Sequence, residues 1–218
     1  MSAADGRFDL IETMAFDPAI GLPMLERHLA RLTASAAALG FTLDRHGVRN
    51  ELQAATFGYV EPKRVRLLLA RGGAVAVEVR DPSPWPQAIM QVAIVPRTLG
   101  NDDVRVRHKT TDRRHYQAAL RAGGTIEVLL TDETGYLTEG CFSNIFVERG
   151  DRLLTPPLAR GLLPGVLRQS LIDMGEAEEA DLKPHDLDSG FFIGNAARGL
   201  VAASAVAARV APKVAPRG

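Results

Sequence analysis

The run from Lys109 to Glu139, KTTDRRHYQAALRAGGTIEVLLTDETGYLTE, constrains this chain more than any other feature. A helical stretch around Tyr116 leads into a strand-like run at 126–131, then to an acid in an apolar setting, Leu137-Thr138-Glu139-Gly140. A fold that buries both ends of this run brings an amine and a carboxylate to one place. A lysine amine condenses with aldehydes, and a buried acid can hold a proton on a ring heteroatom opposite it. Alone, each residue type is usually solvated, so the pairing gains weight only from what surrounds it.

Anion-binding elements flank the pair. Upstream, LERHLARLTASAAALGF carries Leu25, Leu29, Leu32 and Leu39 at helical spacing, with Arg31 beside the apolar stripe. A guanidinium stays charged and bonds two phosphate oxygens at once. Downstream, TPPLARGLLPGVLRQSLIDMG sets Pro164 and Gly165 just before an apolar-periodic helix. The amides of Val166 and Leu167 at such a helix start are free to meet an anion, whatever their side chains. GFFIGNAARGL reads as a buried strand at 191–193 opening into a turn at Gly194, Asn195 and Ala196, where backbone can approach a phosphate closely. A lysine for an aldehyde, an acid for a ring nitrogen and a cradle for a phosphate are together what pyridoxal phosphate requires.

On these residues the chain resembles the class IV, fold-type IV pyridoxal phosphate enzymes: branched-chain aminotransferases, D-amino acid aminotransferases and 4-amino-4-deoxychorismate lyases. The matching blocks are His28-x-x-Arg31-Leu32, the Lys109 segment, Thr138-Glu139-Gly140-x-x-Ser143-Asn144-Ile145-Phe146, and Thr155-Pro156-Pro157 followed by Leu163-x-Gly165-Val166. Their order and approximate spacing match too, and they span most of the chain. The resemblance implies a two-domain α+β fold of the D-amino acid aminotransferase type, with the cofactor between the domains. It implies Lys109 as the Schiff-base lysine and Glu139 as the pyridine partner. Arg31, the Val166 and Leu167 amides, and Asn195 with Ala196 then form the phosphate site.

Within the family the lyases look most similar. Lys109-Thr110-Thr111-Asp112-Arg113 resembles their Lys-x-x-Asn-Arg run, Asn195-Ala196 their Asn-Ala turn, and Phe8 to Thr13 their Phe-Glu-Thr strand. This implies a lyase of 4-aminobenzoate and folate synthesis acting on a small amino substrate. The alternative is an aminotransferase for branched-chain or D-amino acids or amines. Thr13 is the candidate to line the substrate side or assist proton transfer, and Arg198 the candidate to meet a substrate carboxylate. The chain departs from the family pattern in carrying Asp112 for the usual asparagine. It also lacks an Arg-x-His motif after Arg71-Gly72, and no Gly-Asp-Gly turn stands ahead of Phe8. Family members are commonly homodimers, and the same is expected here.

Helical and strand patterns mix without strict βαβ alternation, which argues for an α+β fold in two layers. The polar stretch PRTLGNDD divides the sequence into a smaller N-terminal domain at 1–95, a linker at 96–103 and a larger C-terminal domain at 104–218. A chain of 218 residues can bury a substantial core. Its 26 basic and 26 acidic residues balance, which leaves no electrostatic footprint for nucleic acid. The single Cys141 excludes an internal disulfide and fits a reducing compartment. Its expected role is packing, and His28 is expected to pack or cap locally. His46, His115 and His185 are scattered without metal-ligand spacing. No secretory signal is evident, and the apolar stretch at 200–210 is shorter than the ~20 residues of a membrane span. A cytosolic location is expected. The closing VAPKVAPRG is expected to be extended or frayed.

Overall fold

In the computed structural model, which describes residues 8–208, the alternating run Arg64-Val65-Arg66-Leu67-Leu68-Leu69 forms a strand with one oily face. This strand, β2 (Lys63–Leu69), is the centre of an antiparallel sheet flanked by β1 (Leu10–Phe16) and β3 (Val75–Arg80). Val65, Leu67 and Leu69 join Leu10, Met14 and Phe16 in a core completed by two helices. These are α1 (Leu25–Leu39), which supplies Leu29, Leu32 and Ala36, and α2 (Arg45–Thr56), which supplies Val48 and Leu52. Each such leucine contributes roughly 1.5–3 kcal/mol by leaving water. Helix α1 stops at Gly40, whose φ of 70° is a left-handed conformation that a Cβ would resist. Because side chains alternate along a strand, Ile11, Thr13, Arg64 and Arg66 stand on the opposite face, away from the helices.

The second sheet has eight strands in the order β6-β5-β4-β11-β10-β7-β8-β9. They are β4 (Ile89–Pro96), β5 (Glu127–Thr131), β6 (Leu137–Gly140), β7 (Asn144–Arg149), β8 (Arg152–Thr155), β9 (Ala177–Glu179), β10 (Phe191–Asn195) and β11 (Gly199–Val206). A short helix, α3 (Val104–Arg107), precedes Lys109. Helix α4 (Arg114–Gly123) packs Tyr116, Ala119 and Leu120 on Ala93, Val95, Val128 and Leu130. Helix α5 (Val166–Asp173) brings Leu171 against Phe146 and Ala177. The mixed architecture agrees with the α+β expectation.

In two places the topology departs from the sequence reading. Strand β4, placed in the N-terminal half by the break at 96–103, is an interior strand of the large sheet, parallel to both β5 and β11. The change of sheet therefore falls between Arg80 and Ile89, where DPSPWPQA carries three prolines unsuited to a sheet interior. Within the apolar stretch read from sequence at 200–210, the residues up to Val206 form β11 between β4 and β10, and 209–210 lie outside the described residues. VAPKVAPRG lies outside the described residues. Among the described residues, no helix is long and apolar enough to cross a membrane.

The segment that carries Lys109 belongs to neither sheet and is bonded along the start of β1. The Ile11 amide donates to the Lys109 carbonyl (2.9 Å), the Thr111 amide donates to the Asp9 carbonyl (2.9 Å), and Leu10 bridges Thr110. Lys109 is thereby fixed beside the polar face of the small sheet.

Candidate active site

A cavity of about 330 Å³ lies between that face and the large sheet. Thr13, Arg31, Lys109, Glu139, Val166, Asn195, Ala196 and Arg198 all line it, so sequence-distant candidates converge. Leu167 is the exception: its side chain packs with Phe146 and Phe192, which leaves only its backbone available to an anion.

Lys109 points its amine at Thr13, with Nζ 3.0 Å from Oγ1. Burial draws the ammonium pKa down to about 7; the Glu12 carboxylate opposes this, and the charges of Arg31, Arg113 and Arg66 reinforce it. A substantial fraction of the neutral amine, the form that attacks aldehydes and accepts protons, therefore exists at neutral pH.

Glu139 sits at the end of β6 with 2 % exposure. The Tyr116 hydroxyl donates to its Oε1 (2.7 Å) and the Leu163 amide to its Oε2 (3.1 Å). Burial raises the carboxyl to about 7, against the pull of those two donors and of Arg97 and Arg113. An acid held in this way can share a proton with a ring nitrogen. Tyr116 was not singled out from the sequence; a hydroxyl on the apolar face of a helix between the lysine and the acid was the available signal.

Arg31 is oriented by a buried acid that the sequence reading left without a role. Its Nε donates to Glu12 Oε1 (2.8 Å), its Nη2 to Glu12 Oε2 (2.6 Å) and its Nη1 to the Pro164 carbonyl (3.0 Å). Glu12 also meets His28 Nδ1 at 2.7 Å, so His28 is a member of this cluster as well as a packing residue. Burial alone would raise the Glu12 pKa, but Arg31 and His28 outweigh it and hold the carboxyl well below the usual range. The Pro164 contact fixes Arg31 beside the start of α5. There, any Cβ on Gly165 would collide with the Asn144 amide oxygen, so glycine is required for this close approach.

Asn195 uses its side chain to shape its own turn. Its Oδ1 accepts from the Ala197 and Arg198 amides at 3.0 Å each, and its Nδ2 donates to the Phe142 carbonyl (2.9 Å). Arg198 is held by Ser83, through the carbonyl (2.7 Å) and the hydroxyl (3.3 Å), and lies over the Trp85 ring. Arg113 donates to the Cys141 carbonyl. Cys141 is buried and its thiol is pushed up by burial, as suits a packing residue. Among the described residues no group of acids, histidines and cysteine is placed to hold a metal ion.

The amino-transferase class IV family model matches residues 9–206. A Schizosaccharomyces pombe protein provisionally named aminodeoxychorismate lyase is 28 % identical over 180 residues, covering 79 % of this chain and 77 % of its own. A Methanocaldococcus jannaschii protein provisionally named branched-chain-amino-acid aminotransferase is 29 % identical, covering 88 % of this chain and 76 % of its own. Among solved structures, a Mesorhizobium loti protein provisionally described as an amino-acid aminotransferase superposes with a TM-score of 0.84 at 38 % identity, covering 92 % of this chain and 100 % of that one.

Proposed function

This chain belongs to the class IV amino-transferase family, whose members use pyridoxal phosphate, and we propose that it is a lyase converting 4-amino-4-deoxychorismate to 4-aminobenzoate and pyruvate. The residues present fit the cofactor. A half-buried lysine of lowered pKa and a buried acid share one cavity, with an oriented arginine and the start of α5 at its edge. We assign Lys109 to the covalent link, Glu139 to the ring nitrogen, and Arg31 with the Val166, Leu167 and Ala196 amides to the phosphate. When bound, pyridoxal phosphate supplies an electron sink for the pair left behind by a departing proton.

The observation that carries the lyase reading is the 3.0 Å contact between Lys109 Nζ and Thr13 Oγ1. Lys109, as neutral amine, takes the proton from the substrate carbon that bears nitrogen. The neighbouring carbon–oxygen bond then breaks with its electrons on oxygen, the ring becomes aromatic, and an enolate of pyruvate leaves. That enolate needs a proton on its methylene carbon. The Thr13 hydroxyl is placed to pass it on from Lys109, and a transamination needs no such relay to a leaving group.

The aminotransferase alternative draws on the resemblance to the M. jannaschii protein. Product analysis decides between them. The holoenzyme given 4-amino-4-deoxychorismate should release 4-aminobenzoate and pyruvate in equal amounts. Amino-group transfer from alanine or a branched-chain donor, without that release, would overturn the lyase reading. We place this reaction in a cytosolic homodimer, as the family resemblance implies; sedimentation checks the assembly.

A further inference from the structure

We propose that Arg64 and Arg66 of β2 form a two-point receptor for a substrate that carries two carboxylates. The inference rests on the lyase reading and deepens it, by assigning to this chain the residues that select a dianion.

Among the described residues, the cavity is lined by six cations, Arg31, Arg64, Arg66, Lys109, Arg113 and Arg198, and by the single acid Glu139. Four of the six have partners. Arg31 is bound to Glu12, Lys109 to Thr13, Arg113 to the Cys141 carbonyl and Arg198 to Ser83. Arg64 and Arg66 have no hydrogen-bond or ion-pair partner among the described residues, and the Nε of Arg66 is buried and unsatisfied. Leaving a buried donor unpaired costs free energy that a ligand recovers on binding. The only acid opposite Arg66 in the sheet register is Glu78, and it is tied instead to Arg80.

Strand geometry makes the two arginines a pair. Residues two apart on β2 share a face and sit roughly 7 Å from each other. On that face Arg66 is opposite Thr13 and Arg64 opposite Ala15, so Arg66 is level with the hydroxyl that contacts Lys109 while Arg64 is one step further out. Arg64 also borders a shallow cleft with Lys63 and Arg80, which marks it as the outer position. A monocarboxylate satisfies one of these cations. A dianion satisfies both, and each guanidinium can bond a carboxylate through two donors.

Calorimetry on the holoenzyme with unreactive probes tests this, using isophthalate for two carboxylates and benzoate for one. Isophthalate should bind at least about tenfold tighter than benzoate. Arg64→Gln should remove that preference while leaving benzoate binding in place, and Arg66→Gln should weaken both ligands. Both variants should keep the cofactor as tightly as the parent. Equal affinity for the two probes in the parent protein, or an unchanged ratio in both variants, would overturn the proposal. So would loss of cofactor in place of loss of probe discrimination, since it would assign these arginines to the phosphate. The readout involves no turnover, so failure here is distinct from failure to release pyruvate from 4-amino-4-deoxychorismate.

Discussion

The amine of Lys109 and the hydroxyl of Thr13 lie 3.0 Å apart although Thr13 is on β1 of the small sheet and Lys109 lies in the segment between α3 and α4, separated from it by most of the N-terminal half. Backbone bonds from Ile11 to Lys109 and from Thr111 to Asp9 hold the 109–111 segment against β1, so the contact is built into the chain's path. If Thr13 relays a proton, its hydroxyl matters more than its shape. Thr13→Val should lower pyruvate release by about 10²- to 10⁴-fold, the usual contribution of a positioned acid–base group. Thr13→Ser should retain most of the rate, and both should keep the visible absorbance of bound cofactor. Valine at full rate would remove Thr13 from the chemistry.

Lys109 gives a second prediction, concerning assembly of the holoenzyme. An ordinary lysine at 10.5 would be almost wholly protonated at neutral pH, whereas burial brings this one to about 7. Only the neutral amine condenses with the aldehyde. The rate at which apoenzyme takes up pyridoxal phosphate should therefore rise with pH through about 7 and then level off. Rapid-mixing absorbance measurements across neutral pH read this directly. A rate still climbing tenfold per pH unit well above 8 would mean that the amine is not held as the structure has it. Lys109→Ala should abolish the covalent absorbance altogether.

Much of the site was legible because covalent chemistry and phosphate binding demand particular residue types. Lys109, Glu139, Arg31 and the Gly165 helix start stand out for that reason, and all four line the cavity. What the sequence hid were partners whose roles depend on tertiary approach. Glu12 is one acid in an apolar strand, and only the packing of β1 on α1 shows that it serves Arg31 and His28. Tyr116 looks like core until its hydroxyl is found on Glu139. Arg64 and Arg66 were readable in principle, since a strand alternating cations with Val65 and Leu67 must face something polar on one side. The fold was legible in class. It was missed at β11, whose small residues carry little strand signal and owe their place to β4 and β10 on either side.

Glu12 supplies a third prediction because removing it strands two partners at once. Glu12→Ala leaves the Arg31 fork and His28 Nδ1 buried without an acceptor, which should cost roughly 3–5 kcal/mol of stability. Glu12→Gln keeps a carbonyl oxygen for one of them and should cost less. In the parent protein the Glu12 carboxyl is held well below its ordinary 4.5. Its contribution is therefore complete above about 4.5 and is lost only as pH falls through the lower folded value. Urea midpoints at neutral pH should separate parent, Gln and Ala in that order. Dialysis should show the same order for cofactor retention, because Arg31 loses the group that aims it.

Glu127, on β5 beneath the loop at Cys141 to Ser143, sets the fourth prediction. Its carboxyl accepts from the Val128 amide (3.0 Å), the Phe142 amide (3.1 Å) and the Ser143 hydroxyl (3.1 Å). Burial nevertheless outweighs these donors and raises it from 4.5 to about 7. The folded chain then keeps a proton that the unfolded chain has already released between those two values. Stability from this group is full below 4.5 and falls as pH rises to about 7. Glu139 acts in the same direction over the same window. Lys109, lowered from 10.5 to about 7, acts above that window and with the opposite sign, while His28, His108 and His115, whose pKa values burial lowers from 6.5, oppose the glutamates within it. The comparison is therefore between parent and variant: from about pH 5 to about pH 7 the parent should lose up to about 3 kcal/mol relative to Glu127→Gln. A slope unchanged by the substitution would mean that Glu127 is ionised in the fold, with its charge carried by the two amides and the serine hydroxyl.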